Sequence, residues 1–284
     1  MRWQMASDTA ALTAMLRAAH QLVDDEPRIV DDPIAIRLLD DATRESIAAR
    51  REALFSPGLM VPRAAVLLRS RYTEDLLAGA VAQGISQFVI LGAGLDTFAF
   101  RQPAFARQLQ IYEVDHPATQ AWKRERLAAA GIAAPRNLRW VSIDFEQQTL
   151  AAGLRESTFD AARPAFFSWL GVTQYLTLPA IDATLKVVAA LPQPSTIVLS
   201  FMLPDDDLPP EEVAAARAVA NEAARKGEPW PSRIAPQDLA DRLNRLGFRE
   251  VIYLSPAEAS TRYFAGRRDG LRAPRVAQLM SATN

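Results

Sequence analysis

The chain has 284 residues, a formal net charge of −1 and no cysteine, which gives no electrostatic case for a nucleic-acid partner and excludes disulfides, thiolate metal sites and a cysteine nucleophile. Apolar residues make up 49% of it, enough to bury a sizeable core. No apolar run approaches the roughly 20 residues that span a bilayer, and the first ten residues carry Asp8 and lack a signal-peptide core, so the expectation is a soluble cytoplasmic protein without membrane contact.

The region before residue 84 reads as helical. Over 9–23 the apolar positions Leu12, Met15, Leu16, Ala19, Leu22 and Val23 fall at helix spacing. Asp31-Asp32-Pro33 looks like a helix start, with an acidic cap and a proline in the first turn, leading into 34–39. Pro62 opens a further helical stretch over 63–83 that Gly84 ends.

From Gln87 short β-rich runs alternate with helix-compatible ones. Strands are expected at 88–91, 109–114, 138–143, 165–169 and 196–201, with 119–130, 145–154 and 178–191 as connections. Such alternation implies βαβ units, a mostly parallel sheet and right-handed crossovers. The proline- and aspartate-rich run 204–210 breaks the pattern. An alanine-rich helix over 211–226 follows and reads as an inserted lid. A helix over 236–246 ends at Gly247, and 251–254 and 261–265 read as two further strands. The expected organisation is one domain: a helical cover (1–84), a cofactor-binding core (85–204), a lid insertion (205–235) and a C-terminal helix with strands (236–284).

Ligands of an α/β sheet sit at the carboxyl ends of its strands. The first strand runs into Gly92-Ala93-Gly94, a turn poor in side chains that lets a ligand approach the backbone. The second ends at Asp115, 23 residues on from Gly92, near the distance at which an acid takes ribose hydroxyls. The third ends in Asp144-Phe145, an acceptor for an adenine amino group beside a ring to stack on. Each acid alone is an ordinary cap or solvated turn; three features in register make a nucleoside pocket. A dinucleotide site wants a third glycine where this chain has Thr97. S-adenosylmethionine, which has no phosphate to cradle, is therefore favoured over a nicotinamide cofactor. A non-catalytic adenosyl-binding protein is the alternative from another class, and an NAD(P)-dependent oxidoreductase a more distant one.

Ile90-Leu91-Gly92-Ala93-Gly94-Leu95-Asp96-Thr97, with Arg101 after it, resembles the first motif of the leucine carboxyl methyltransferase superfamily. The nearer likeness is to its bacterial branch of S-adenosylmethionine-dependent, polyketide-type O-methyltransferases. Arg17-Ala18-Ala19-His20, Asp31-Asp32-Pro33, Arg69-Ser70-Arg71-Tyr72, Glu113-Val114-Asp115-His116-Pro117 with Lys123, Gly227-Glu228-Pro229-Trp230 and Arg262-Tyr263-Phe264 extend it over nearly the whole chain. The resemblance implies a class-I Rossmann-like α/β fold with a mostly parallel seven-stranded sheet, an N-terminal helical cover and an inserted lid helix. It implies that Gly92, Ala93 and Gly94 contact S-adenosylmethionine through the backbone, that Asp115 binds the ribose and that Asp144 and Phe145 hold the adenine. It also implies that Arg71, or else Arg69, pairs with the cofactor's carboxylate, a task a guanidinium suits.

Leu170 stands where eukaryotic members carry a glutamate, so a protein C-terminus is not assumed as substrate. Trp169, Leu170 and Thr173 are candidates to line the pocket of a small-molecule methyl acceptor, with a carboxylate slightly preferred to a hydroxyl. A carboxylate needs no base, whereas a hydroxyl is helped by one. The candidates near the methyl group are Tyr175 and His20, while His116 is expected to shape its turn. Asp205-Asp206-Asp207 is read as a solvated loop, and no metal site is expected.

Overall fold

In a computed structural model, which describes residues 2–49, 51–145, 147–225 and 227–284, the β-rich runs assemble into one seven-stranded sheet. Its strands are β1 (Gln87–Leu91), β2 (Gln110–Asp115), β3 (Leu138–Ser142), β4 (Phe166–Trp169), β5 (Thr196–Met202), β6 (Glu250–Leu254) and β7 (Ala277–Thr283), in the order β3-β2-β1-β4-β5-β7-β6. β1 pairs in parallel with β2 and β4, and β7 runs antiparallel to both β5 and β6. The chain order reverses between β1 and β4, so their carboxyl ends open a crevice.

Both faces of the sheet are covered, which is why β1 and β4 are buried at every position and are largely apolar. Alternate residues serve opposite layers. Phe88 and Ile90 join a core with Leu67, Leu68 and Leu77, whereas Val89 and Leu91 join one with Ile181, Leu185, Leu239 and Leu243.

The N-terminal helices are α1 (Arg2–Val23), α2 (Pro33–Arg37), α3 (Asp41–Ala49) and α4 (Pro57–Ala82); α5 (Phe98–Arg101) and α6 (Pro117–Ala129) follow β1 and β2. Next come α7 (Leu150–Arg155), α8 (Leu178–Ala189), α9 (Pro210–Arg225), α10 (Pro236–Arg245) and α11 (Pro256–Ala259). α1 packs Ala14, Ala18 and Ala19 into a third core that includes Leu95, just past the glycine turn. A Cβ on Gly94 would lie 3.3 Å from that of Ala10, so α1 covers the crevice mouth.

Several elements differ from expectation. The run 261–265 is a π-helical turn, Ser260–Phe264, continuing α11, whose start is capped by Ser255 Oγ accepting from the Glu258 amide. The seventh strand is instead Ala277–Thr283. α4 begins at Pro57, after Ser56, with Pro62 inside it. α7 starts at Leu150, where Thr149 accepts from the Ala152 amide, and not at Phe145. α9 coincides with the expected lid helix; Lys226, at the expected end, lies outside the described residues.

Candidate functional site

The glycine turn is built against the end of β2. The amides of Gly92 and Ala93 both donate to Val114 O, at 2.9 and 3.2 Å. Gly92 has φ +67°, and a Cβ there would lie 2.4 Å from Val172 Cγ2; both its conformation and the packing require glycine. The Gly94 amide donates to Asp115 Oδ2 at 2.6 Å, and the His116 amide donates to Asp115 Oδ1 at 2.7 Å. Burial pushes the Asp115 carboxyl up, against the pull of these two amides. His116 Nδ1 accepts from the Ala118 amide at 3.1 Å and shapes the start of α6.

Behind Asp115 stands a buried brace. Lys123 Nζ lies 2.6 Å from Glu113 Oε2, with both side chains almost fully enclosed. Burial lifts the Glu113 carboxyl to about 7 despite the ammonium beside it. Gln120 donates to the carbonyls of Glu113 and Val141, tying α6 to β2 and β3.

In front of the turn, Thr97 Oγ1 donates to Asp32 Oδ2 at 2.6 Å, and Asp32 also caps α2 through the Ala35 amide. Arg17 Nε is 3.2 Å from the same carboxylate, and its guanidinium also donates to Leu95 O. Arg101 reaches Asp32 at 3.6 Å and pairs with Glu74. Arg17, Asp32, Thr97 and Arg101 thus form one network that fastens the cover to the glycine turn.

His20 is not in the cleft. Its Nε2 accepts from the Ile29 amide at 3.0 Å, so Nδ1 carries the proton and donates to Asp24 Oδ2 at 2.8 Å. Asp24 in turn receives two bonds of 2.9 Å from Arg63. With no exposed surface, His20 is a structural member of the cover, and the geometry removes it as a base.

The crevice encloses about 580 Å³. The glycine turn, Asp96, Asp115 and Thr119 line one end. Thr9, Thr13, Tyr175 and the loop of Gly227, Glu228, Pro229 and Pro231 line it too, with Arg69, Leu170, Gly171 and Val172 between. Arg69 is the guanidinium here. Arg71 projects from another face of α4, pairs with Asp75 at 2.8 Å and lines a separate cavity of about 850 Å³ with Arg262 and Tyr263. That second cavity is larger, but it lies away from the glycine turn, and Arg71 and Tyr263 in its wall both bond to Asp75.

No hydrogen bond or ion pair joins Arg69 to another described residue. Burial, aided by Arg17, draws its guanidinium down to about 10, which leaves it charged at neutral pH. Gly171, at φ +74°, makes room for it: a Cβ there would lie 2.3 Å from Arg69 Nη1.

Among the other expected residues, Leu170 lines the crevice, but Trp169 and Thr173 do not. Trp169 is buried in the core beneath, and Thr173 Oγ1 donates to Ser200 O at 2.6 Å. Asp144 and Phe145 follow β3 beyond the rim of the cavity. Asp144 Oδ2 accepts from Gln147 Nε2 at 2.8 Å, and Phe145 is 56% exposed. Tyr175 ends a short turn, Thr173–Tyr175, and burial raises its phenol, followed by the effect of the Glu228 charge. Glu228 Oε2 accepts from Thr9 Oγ1 at 2.7 Å, joining the cover to the loop after α9. Asp205 pairs with Arg217 and Arg233, and among the described residues no cluster of His, Asp or Glu could hold a metal ion.

Thr9, Arg17 and Glu228 were not anticipated as cleft residues. The Gly-Glu-Pro-Trp run was the available signal for Glu228, but nothing local in it says that this loop folds back over the crevice.

Comparison with known proteins adds sequence and fold relatives. A family model described as leucine carboxyl methyltransferase matches residues 10–189. YktD of Bacillus subtilis, provisionally named an S-adenosyl-L-methionine-dependent methyltransferase, is 31% identical over 301 aligned positions covering 96% of each chain. A protein of the same provisional name from Mycolicibacterium paratuberculosis is 32% identical over 216, covering 72% of this chain and 77% of its own. Among solved structures, a DUF574-family protein from Streptomyces avermitilis superposes with a TM-score of 0.57 at 16% identity over 95% of this chain and 96% of its own. A provisionally named methyltransferase from Thermobifida fusca gives 0.54 at 19% over 87% and 92%. These two share the fold. Among the described residues no helix is long and apolar enough to cross a membrane.

Proposed function

The chain belongs to the leucine carboxyl methyltransferase family and is an S-adenosylmethionine-dependent methyltransferase; from that premise we propose that it methylates an oxygen of a small organic acceptor held in the 580 Å³ crevice. The observation that carries the cofactor's placement is Arg69. A charged guanidinium with no hydrogen-bond or ion-pair partner among the described residues, projecting into a cleft across from a ribose-type acid, fits a ligand that carries its own carboxylate. S-adenosylmethionine carries one, and a nicotinamide dinucleotide does not.

The strand order supports the remaining assignments. Asp144 and Phe145 after β3 would face the adenine. Asp115 after β2 would take the ribose hydroxyls in place of, or beside, its amide donors. Gly92, Ala93 and Gly94 after β1 would pass beneath the sulfur, and Arg69 above Gly171 would hold the carboxylate. When bound, the cofactor supplies a methyl group already activated by the sulfonium. The protein's part is then to align the acceptor and exclude water. Thr9, Thr13, Leu170 and Tyr175 surround the remaining volume, and the loop after α9 closes it through Glu228 and Pro229. The acceptor wall is apolar at Leu170 and Val172 and carries hydroxyls at Thr9, Thr13 and Tyr175, which suits a small organic molecule.

Transfer of labelled methyl from S-adenosylmethionine to a panel of hydroxyl, carboxyl and amine acceptors, with mass spectrometry of the products, tests the reaction class. Products in which oxygen carries the methyl group are expected. Methylation confined to nitrogen would overturn the assignment.

A further inference from the structure

Resting on the O-methyltransferase reading above, we infer that the acceptor is a hydroxyl compound and that the Glu228 carboxylate takes its proton. Three observations at the acceptor end point this way. Glu228 lines the crevice in the same wall as Tyr175, and among the described residues its carboxylate has one hydrogen bond, from Thr9 Oγ1 at 2.7 Å to Oε2. Among the described residues Oε1 has no partner and can meet a ligand. The Thr9 bond holds the carboxylate by one oxygen, so its position is set from α1 while the loop after α9 carries it.

The second observation is the charge of the wall. Among the described residues, the cations lining the crevice are Arg17 and Arg69. Arg17 is committed to Asp32 and to the Leu95 carbonyl, and Arg69 answers the cofactor's carboxylate. An acceptor carboxylate would therefore meet the Glu228 charge with no free cation among the described residues to offset it. The third is the placement of Tyr175: a carboxylate that faces a half-buried phenol and a threonine hydroxyl sits among groups that position a neutral, hydrogen-bonding acceptor. A carboxylate acceptor would need no base, and Glu228 would then stand there at a cost.

In the step, the acceptor oxygen bonds to the methyl carbon as the carbon–sulfur bond breaks. That bond's electron pair passes to sulfur, leaving a neutral thioether. The hydroxyl proton moves to Glu228 and from there to water. The sequence's slight preference for a carboxylate acceptor gives way to this arrangement.

The test uses matched acceptors on full-length protein: p-cresol against p-toluate, 2-naphthol against 2-naphthoate, and 1-octanol against octanoate. Methyl transfer is measured for wild type, Glu228→Gln and Glu228→Asp. Binding of each acceptor to protein saturated with S-adenosylhomocysteine is followed by calorimetry. Expected are transfer to hydroxyl members only, a loss of roughly 100-fold in Glu228→Gln and partial rescue in Glu228→Asp. Carboxylate members should bind more weakly than their hydroxyl partners in wild type and gain about tenfold in Glu228→Gln. Equal or better transfer to the carboxylates, no transfer to any hydroxyl member, or a Glu228→Gln variant matching wild type would each overturn the inference. S-adenosylhomocysteine affinity and melting temperature report separately on the cofactor reading and on folding, so a failure there is told apart from a failure of the hydroxyl assignment.

Discussion

Replacing Arg69 by methionine keeps a long side chain packed over Gly171 and removes the charge. A charged hydrogen-bonded contact of the kind assigned to Arg69 is worth about 1.5–3 kcal/mol, so S-adenosylhomocysteine should bind roughly 10- to 150-fold more weakly. The loss should be confined to ligands that carry the carboxylate: 5′-methylthioadenosine, which lacks it, should bind Arg69→Met as it binds wild type. Because Arg69 makes no ion pair with another described residue, its removal relieves a burial cost and the melting temperature should not fall. Arg71→Ala, which breaks the pair with Asp75 on another face of α4, should leave both ligands untouched. Calorimetric titration of both ligands into the three proteins, with thermal melts, reads every arm. Equal loss for both ligands in Arg69→Met, or a larger loss in Arg71→Ala, would refute the assignment.

Gly171→Ala should imitate Arg69→Met, because a Cβ 2.3 Å from Nη1 displaces the guanidinium; weakened S-adenosylhomocysteine with unchanged methylthioadenosine is the expected pattern. Lys123→Met strands Glu113 in the core and should cost about 3–5 kcal/mol in denaturant unfolding, most of it recovered in Glu113→Leu/Lys123→Met; a double variant no better than the single one contradicts this. Glu113 sits at about 7 when folded, against 4.5 ordinarily, so between those values the folded protein holds a proton that the unfolded chain has released. Its contribution to stability therefore falls as pH rises from 4.5 to 7, and Glu113→Gln should show a flatter stability profile across that interval; parallel profiles would count against it. His20→Ala removes the acceptor of the Ile29 amide and a partner of Asp24; a melting temperature unchanged from wild type would contradict its structural role.

The strand-to-glycine handover and Asp115 were legible because each is local: an apolar run, two spaced glycines, then an acid at the next strand end. Which of the two arginines faces the crevice was not. Residues two apart on a helix face about 200° from each other, and α4 is apolar on several sides, with Leu67, Leu68, Leu77 and Tyr72 all buried, so no stripe says which of Arg69 and Arg71 turns inward. The 261–265 run has the β-branched and aromatic texture of a strand, yet the Ser255-Pro256 start holds it in helical form. Ala277–Thr283 looks weak as a strand, but it is the central partner of β5 and β6, and pairing on both sides overrides its modest propensity. His20 could have been read correctly: Asp24 lies one helical turn on, and a histidine and an acid at that spacing meet on one face. The role of Glu228 depends on a contact with Thr9 across most of the chain, which no local pattern encodes.

Titration of S-adenosylhomocysteine into the wild-type protein, beside Asp115→Ala and with NAD as the control ligand, tests the central claim most directly. One-to-one binding to wild type, its loss in Asp115→Ala and no response to NAD are predicted. No binding by wild type, or undiminished binding by Asp115→Ala, would contradict the placement of the methyl donor at the glycine turn.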